Sequence, residues 1–303
     1  MNLKNYEIPK KTVDAVVDTD MSQNWFNGKF VEVDDEFALA YLLKCEKINL
    51  KAIYTDVSRT EEYEHNRILA VKNVLRSCHR EDLMSSIYTG ARNRMSDNFT
   101  PVESKAVDDL IERANKYTNE NPLYVVEIGP LTNIASALIR EPSIAEKIVI
   151  VAMGGHEFEH EDTKEYNLTA DWFAAQYVFK TDVPLVLIPG INVSKKAVLK
   201  NKDVLECLAG TPIGDYLIWY LRNMFKPENF ENGARIMWDV VPICWFMNEN
   251  NKYLYSKIVE RPLLTDDGHY DFIKTDKRMV YVYDVNEDVI IEDLLSKLET
   301  YSY

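Results

Sequence analysis

The 303-residue chain carries 49 acidic against 35 basic side chains, a formal charge of −14 at pH 7. That balance opposes a phosphate backbone and an anionic lipid surface, and no Lys/Arg-dense stretch offsets it. A hydrophobic fraction of 46% with 11% aromatic residues excludes disorder for the bulk of the chain. In chain order, Val13 to Asp18 (VDAVVD) reads as a β-branched strand ending in acid. Phe37 to Leu43 (FALAYLL) reads as a helix buried on nearly all faces. Leu50 to Val57 is a strand, and Glu61 to Leu75, apolar at about 3.6-residue spacing, a helix. Leu123 to Ile128 is a strand; after Gly129-Pro130 a helix runs from Leu131 to Ile139 and stops before Pro142. Lys147 to Met153 is a strand broken by Gly154-Gly155, Trp172 to Phe179 a helix, and Pro184 to Ile188 a strand ending at Pro189-Gly190. Asp215 to Phe225 and Val240 to Met247 read as helices, and Met279 to Tyr283 alternates as terminal strands do.

Strands separated by helices predict right-handed βαβ units. The expected fold is α/β: a Rossmann-like open, mostly parallel sheet flanked by helices, with additional C-terminal strands. No linker or low-complexity segment interrupts the pattern, so residues 1–303 read as a single domain. Ligands of such sheets bind beyond the carboxyl ends of the strands, which points to the loops after Asp18, Val57, Ile128, Met153 and Ile188. The N-terminus MNLKNYEIPKK lacks a signal-peptide apolar run, and no stretch reaches the ~18 apolar residues of a membrane span. The four cysteines (Cys45, Cys78, Cys207, Cys244) form no CxxC and read as reduced thiols. These features predict a cytoplasmic protein that takes neither a nucleic acid polymer nor a membrane as partner.

The chemistry-bearing residues are acids. The first strand delivers Asp18-Thr19-Asp20, and Asp34-Asp35 lead directly into FALAYLL. Carboxylates gathered at the open end of a parallel sheet repel one another unless a cation sits among them. Oxygen-only ligands suit a hard divalent ion, and the lack of His or Cys beside them argues against zinc. Helix capping is the plainer reading of Asp34-Asp35, and the two roles are compatible. Met153-Gly154-Gly155 followed by Glu165-Tyr166-Asn167 pairs a close backbone approach with a carboxylate and an amide, groups that suit sugar hydroxyls. A strand-end turn and a solvated loop explain the same residues. Trp238-Asp239 precedes the apolar run VVPICWFM, again where a helix cap belongs.

Taken together and in order, DTD, DD before FAL, GPLTNIASAL, MGG, EYN and WD resemble the inosine/uridine-preferring nucleoside hydrolase family, from about Val13 to at least Asp239. The resemblance implies hydrolysis of the N-glycosidic bond of a ribonucleoside to free base and ribose. It implies a Ca²⁺ ion held by Asp20, Asp35, the backbone oxygen of Ile128 and Asp239, and shared with the ribose 2′- and 3′-hydroxyls and a water. Asp34 would accept from the ribose or the water, and Asp20 or Asp34 would take the proton as water attacks C1′. Glu165 and Asn167 would hold the ribose 3′- and 5′-hydroxyls, and Asp18 would support Asp20 from behind. By the same analogy the assembly is a homodimer or homotetramer.

Three departures stand out. Residues 21–33, MSQNWFNGKFVEV, insert beside the metal ligands and suggest a lid carrying Trp25 and Phe26. The family's Asn after the second strand has no match in IYTDVSR, where Ser58 or Arg59 stands, and the Asn between MGG and EFN is replaced within HEFEHEDTK. Trp238 occupies the place of the family's presumed leaving-group acid, a histidine; indole does not protonate a base, but it can stack on one. Packing against the following helix is the alternative for Trp238. His156 and His160, spaced by four, read as members of a solvent-exposed loop rather than as a ligand pair, and His65, His79 and His269 carry no functional context. Two rival readings fit parts of the pattern: a ribose- or nucleoside-binding protein without efficient turnover, and a haloacid-dehalogenase-like phosphatase with Asp18 as nucleophile. The second has its acids in the wrong order and leaves GPLTN and MGG unexplained.

Overall fold

The computed structural model of the protein describes residues 6–22 and 32–303. Twelve strands form among them: β1 Val13–Thr19, β2 Ile48–Thr55, β3 Ile87–Tyr88, β4 Leu123–Ile128, β5 Ile148–Met153, β6 Leu185–Ile188, β7 Val198–Lys200, β8 Ala234–Ile236, β9 Leu254–Glu260, β10 Leu263–Leu264, β11 Tyr270–Asp271 and β12 Arg278–Val285. The helices are α1 Asp34–Leu42, α2 Glu61–Ser77, α3 Lys105–Ala114, α4 Thr132–Arg140, α5 Tyr166–Ala170, α6 Trp172–Lys180, α7 Asn201–Leu208, α8 Pro212–Met224, α9 Val240–Cys244 and α10 Glu287–Glu299.

Eight strands make one sheet in the order β3-β2-β1-β4-β5-β6-β12-β9. Its members run parallel except β9, which lies antiparallel on β12 at the edge. The expected Rossmann-like open sheet with extra C-terminal strands is therefore present. Both faces are covered, which is why β4, β5 and β6 are buried end to end and read as continuous apolar runs. Side chains nevertheless alternate. Ala15, Val17, Val126, Val149, Val151 and Val186 pack with α1, α2 and the C-terminal helices on one side. Val16, Val125, Ile148, Ile150, Leu185 and Leu187 pack with α3, α4 and α6 on the other.

Local chemistry sets several element ends. The Thr60 hydroxyl accepts from Tyr63 N at 3.1 Å to start α2, and Ser104 accepts from Val107 N at 3.1 Å to start α3. The expectation of terminal strands holds for β12 but leaves out α10, whose Ile290, Leu294 and Leu298 are buried at helical spacing. The two-residue strand β3 is too short to carry a periodic signal. All four cysteines are free, and no helix among the described residues is long and apolar enough to cross a membrane. Trp25 and Phe26, the aromatic residues of the expected lid, lie outside the described residues. At the ends of that insertion Met21, Ser22 and Val33 are buried, and Tyr220 Oη donates to the Ser22 carbonyl at 3.0 Å.

Candidate active site

A cavity of about 510 Å³ opens beyond the carboxyl ends of the central strands. Asp20, Asp34, Asp35, Ile128, Glu165, Asn167, Trp238 and Asp239 all line it. Every residue singled out from the sequence for the site thus stands on one wall or another of a single cavity. The loops after Asp18, Met153 and Ile188 contribute to it, as expected, and β4 contributes its last residue, Ile128. The loop after Val57 does not: Ser58 is buried beneath, donating its backbone N–H to the Ala91 carbonyl at 3.1 Å, and neither it nor Arg59 faces the cavity.

Parallel pairing brings the acids to one level. Thr19 at the end of β1 is level with Ile128 on β4 and with Thr55 on β2. Asp20 follows immediately, and the chain after Ile128 passes so close that a Cβ on Gly129 would lie 3.0 Å from Asp20 N. Glycine is needed there for space. Asp34 and Asp35 enter from the first turn of α1, where Val33 is the cap residue and no side chain makes a capping bond. Asp239 precedes α9 and also makes no capping bond. The capping reading of these acids is therefore replaced by convergence: carboxylate oxygens of Asp34, Asp35 and Asp239 lie within 4.8 Å of one another. Thr19 Oγ1 donates to Asp35 Oδ1, and Met21 N donates to Thr19 Oγ1 at 3.0 Å, so the β1 end holds Asp35 in place.

The cluster is electrostatically loaded. Asp34, Asp35, Glu36 and Asp239 are each at most 6% exposed. Burial pushes the Asp35 and Asp239 carboxyls well above the usual carboxylate range, and the acids around them push further in the same direction. Asp34 is raised by burial, and it shares a hydrogen bond with Asp239 that only a protonated partner can supply. Asp20 is raised by burial against the opposing charge of Arg67. Without a cation the cluster must hold protons. Glu36 also lines the cavity, with Oε1 buried and unpartnered. It was not anticipated, although it directly continues the Asp34-Asp35 pair.

Behind the cavity Asp18 is fully buried and accepts two bonds from Asn133 Nδ2, at 3.1 and 3.0 Å. The same amide donates to the Thr55 carbonyl at 3.2 Å, so one side chain from α4 ties β1 to β2. Thr132 Oγ1 donates to Asp171 at 2.8 Å. These contacts give the threonine and asparagine of GPLTN a physical purpose that the sequence alone did not disclose.

The opposite wall is built by Glu165 and Asn167. Glu165 accepts from Gly155 N at 3.2 Å, Asn167 N at 2.8 Å and Leu168 N at 3.1 Å, fixing both carboxylate oxygens. Burial raises its pKa to about 7 even against those three donors. Asn167 Nδ2 donates to the Met153 carbonyl at 3.3 Å. Gly155 has φ +69°, and a Cβ there would lie 2.3 Å from Tyr270 Oη. Trp238 and Ile191 are half-buried on the cavity wall, Met153 is buried and Tyr166 exposed there, so apolar and aromatic groups line the cavity together with its acids. Tyr166, 71% exposed, was unmarked in the sequence except as the middle of EYN. His156 also lines the cavity, and the exposed loop expected around it is a half-buried one.

This arrangement has known counterparts. The family model for inosine-uridine preferring nucleoside hydrolase matches residues 15–287. The pyrimidine-specific ribonucleoside hydrolase RihB of Escherichia coli is 29% identical over 224 residues, covering 66% of this chain and 69% of that protein. The non-specific ribonucleoside hydrolase RihC of Salmonella paratyphi A is 33% identical over 129 residues, covering 42% of this chain and 41% of that one. Among solved structures, a plant nucleoside hydrolase aligns with a TM-score of 0.74 at 18% identity, covering 96% of this chain and 100% of the other. A purine-preferring ribonucleoside hydrolase from Gardnerella vaginalis aligns at 0.67 and 18% identity, over 94% and 98% of the two chains. With a family model spanning nearly the whole chain, the protein belongs to the inosine-uridine preferring nucleoside hydrolases, enzymes that hydrolyse the N-glycosidic bond of ribonucleosides.

Proposed function

We propose that this nucleoside hydrolase is Ca²⁺-dependent and concentrates its recognition on the ribose. The observation that carries the reading is the buried triad of Asp34, Asp35 and Asp239, whose oxygens lie within 4.8 Å. That span is one that an ion with Ca²⁺–oxygen distances of about 2.3–2.6 Å bridges. The donor set is oxygen only, and burial with the neighbouring acids disfavours its charged form, a penalty that a bound cation would relieve. Asp20, Asp35, Asp239 and the Ile128 carbonyl would hold the ion. When bound, Ca²⁺ supplies charge that orients ribose hydroxyls and makes a neighbouring water easier to deprotonate.

The chain's own residues then divide the work. Glu165, with both oxygens anchored by backbone donors, and Asn167 hold the ribose 3′- and 5′-hydroxyls. Asp34 accepts from the ribose or the attacking water, and burial raises its pKa towards the range of an effective general base. The water oxygen bonds to C1′, its proton passes to Asp34 or Asp20, and the C1′–N bond breaks with its electron pair leaving on the base. Oxocarbenium character on the sugar is stabilised by the surrounding carboxylates. Trp238 flanks the base by stacking, and solvent protonates the departing nitrogen. Asp18 positions Asp20 through the β1 end that Asn133 braces. In this reading the chain is one domain that works in the cytoplasm, and by family analogy it assembles as a homodimer or homotetramer.

The test is release of reducing sugar and free base from a panel of purine and pyrimidine nucleosides. Ribose from at least one of them is expected. No release from any, together with binding of a ribose-like iminosugar, would mean a binding protein without turnover.

A further inference from the structure

A second cluster of metal-ligating side chains lies beside the cavity and takes no part in the reaction above. One ring nitrogen from His156, one from His160 and a carboxylate oxygen of Asp162 lie within 4.8 Å of one another. We propose that these three side chains form a second metal site, for a borderline transition ion such as Zn²⁺, distinct in chemistry from the all-oxygen floor of the cavity.

The loop carrying them, between β5 and α5, is held in shape from several directions. The His156 carbonyl accepts from Tyr270 Oη at 3.0 Å, and His156 N donates to Thr163 Oγ1 at 3.4 Å. Thr163 N donates to the Gly268 carbonyl at 2.9 Å, and Phe158 N donates to Tyr281 Oη at 3.1 Å. The Phe158 ring stacks on Tyr281 with centroids 3.9 Å apart and takes Tyr270 and Phe272 edge-on. His160 N closes a turn onto the Glu157 carbonyl at 3.0 Å. A loop fixed in this way presents its ligands with little further ordering cost.

The two imidazoles are arranged as ligands are. Their ring centroids are 4.7 Å apart with planes at 63°, and His160 Nδ1 lies 3.0 Å from the Asp162 carbonyl oxygen. Asp162 N also lies 3.4 Å from His160 Nδ1, so the Asp162 backbone fixes the ring through both its groups; with the proton on Nδ1, Nε2 is the atom free to ligate. His156 Nδ1 is buried and has no hydrogen-bond partner among the described residues, so it is open to a ligand. Nitrogen donors with one carboxylate select a zinc-like ion over Ca²⁺, and three protein ligands leave a fourth position open.

The test uses the full chain without an affinity tag, stripped with chelator and then saturated with Ca²⁺ so that the carboxylate site is filled. Zn²⁺ is added by calorimetric titration, with metal content measured after dialysis, and Co²⁺ is added in parallel to read its visible ligand-field spectrum. One equivalent of Zn²⁺ retained under excess Ca²⁺ is expected, weakened at least ~10-fold in His160→Gln and in Asp162→Asn and unchanged in Asp239→Asn. The Co²⁺ spectrum should vanish in the same two variants, whose melting temperatures confirm that they fold. The proposal is overturned by no Zn²⁺ binding under Ca²⁺, by binding that survives both loop variants, or by binding lost only in Asp239→Asn.

Discussion

Replacing Asp239 by asparagine should move intrinsic stability and the calcium response in opposite directions. In the wild type its carboxylate lies within 4.8 Å of oxygens from Asp34 and Asp35. Two like charges at that spacing repel by about 3 kcal/mol at an effective dielectric constant near 20. The folded chain avoids much of this by holding protons, since burial and neighbouring acids keep these carboxyls in their protonated form to higher pH. Only part of the repulsion is then relieved on neutralisation, roughly 1–3 kcal/mol, or about 2–6 °C in melting temperature for a chain of this size. The asparagine amide can still donate to Asp34, so their shared hydrogen bond survives. In chelator the variant should therefore melt above the wild type. Added Ca²⁺ should raise the wild type by the free energy of binding the folded state alone, about 2.7 kcal/mol at a hundredfold excess over Kd. The variant, missing one ligand, should respond weakly. Scanning fluorimetry at neutral pH, in chelator and in Ca²⁺, measures both effects. An Asp239→Asn protein that melts below the wild type in chelator and keeps the full Ca²⁺ shift would refute the reasoning.

Trp238→Ala should lower kcat/KM by roughly 2- to 10-fold if the indole stacks on the base, because such contacts contribute about 0.5–1.5 kcal/mol. Equal rates for wild type, Trp238→Ala and Trp238→His in steady-state kinetics would remove any role for this residue. Gly129→Ala places a Cβ 3.0 Å from Asp20 N and 3.3 Å from Asp20 Cβ, so Asp20 must shift by a few tenths of an ångström. A displacement of that order should cost ~3–10-fold in kcat with KM little changed, and an unaltered kcat would show that the position of Asp20 is not critical. Burial raises Asp18 and Glu165 to about 7, so the folded state binds more protons than the unfolded one between the ordinary carboxylate range and neutrality. In chelator, urea midpoints should accordingly fall between about pH 5 and about pH 8, and a rise over that interval would contradict the sign.

The sequence disclosed the elements that bury both faces or one stripe, because burial imposes a periodicity. Glu61 to Leu75 corresponds to α2, Trp172 to Phe179 to α6, and KIVIVAM to β5. Elements set by their neighbours were harder: Ile87–Tyr88 is a strand only because β2 offers it a ladder. Asp20, Asp34 and Asp35 are conspicuous in sequence as carboxylates at a strand end and a helix start, whereas Asp239 joins them only through the family resemblance. The purpose of Asn133 could not be read, since an amide between Asp18 and Thr55 is a matter of three-dimensional contact. The same holds for Glu36, which is distinguished from any helix-start glutamate only by its burial beside the cavity. His156 and His160 read as members of a solvent-exposed loop because they follow a Gly-Gly turn and show no apolar periodicity. Their half-burial follows from Phe158, which locks the loop onto Tyr281 and Tyr270 across more than a hundred residues of sequence.

Nucleoside hydrolysis at the carboxylate cluster is proposed to depend on Ca²⁺. That dependence is tested most directly by the initial rate of ribose release from a chelator-stripped protein, before and after Ca²⁺ is restored. The account predicts negligible release in chelator and a full return of rate with Ca²⁺ in the wild type, but no return in Asp35→Asn. Ribose release that continues at the same rate in chelator would contradict it.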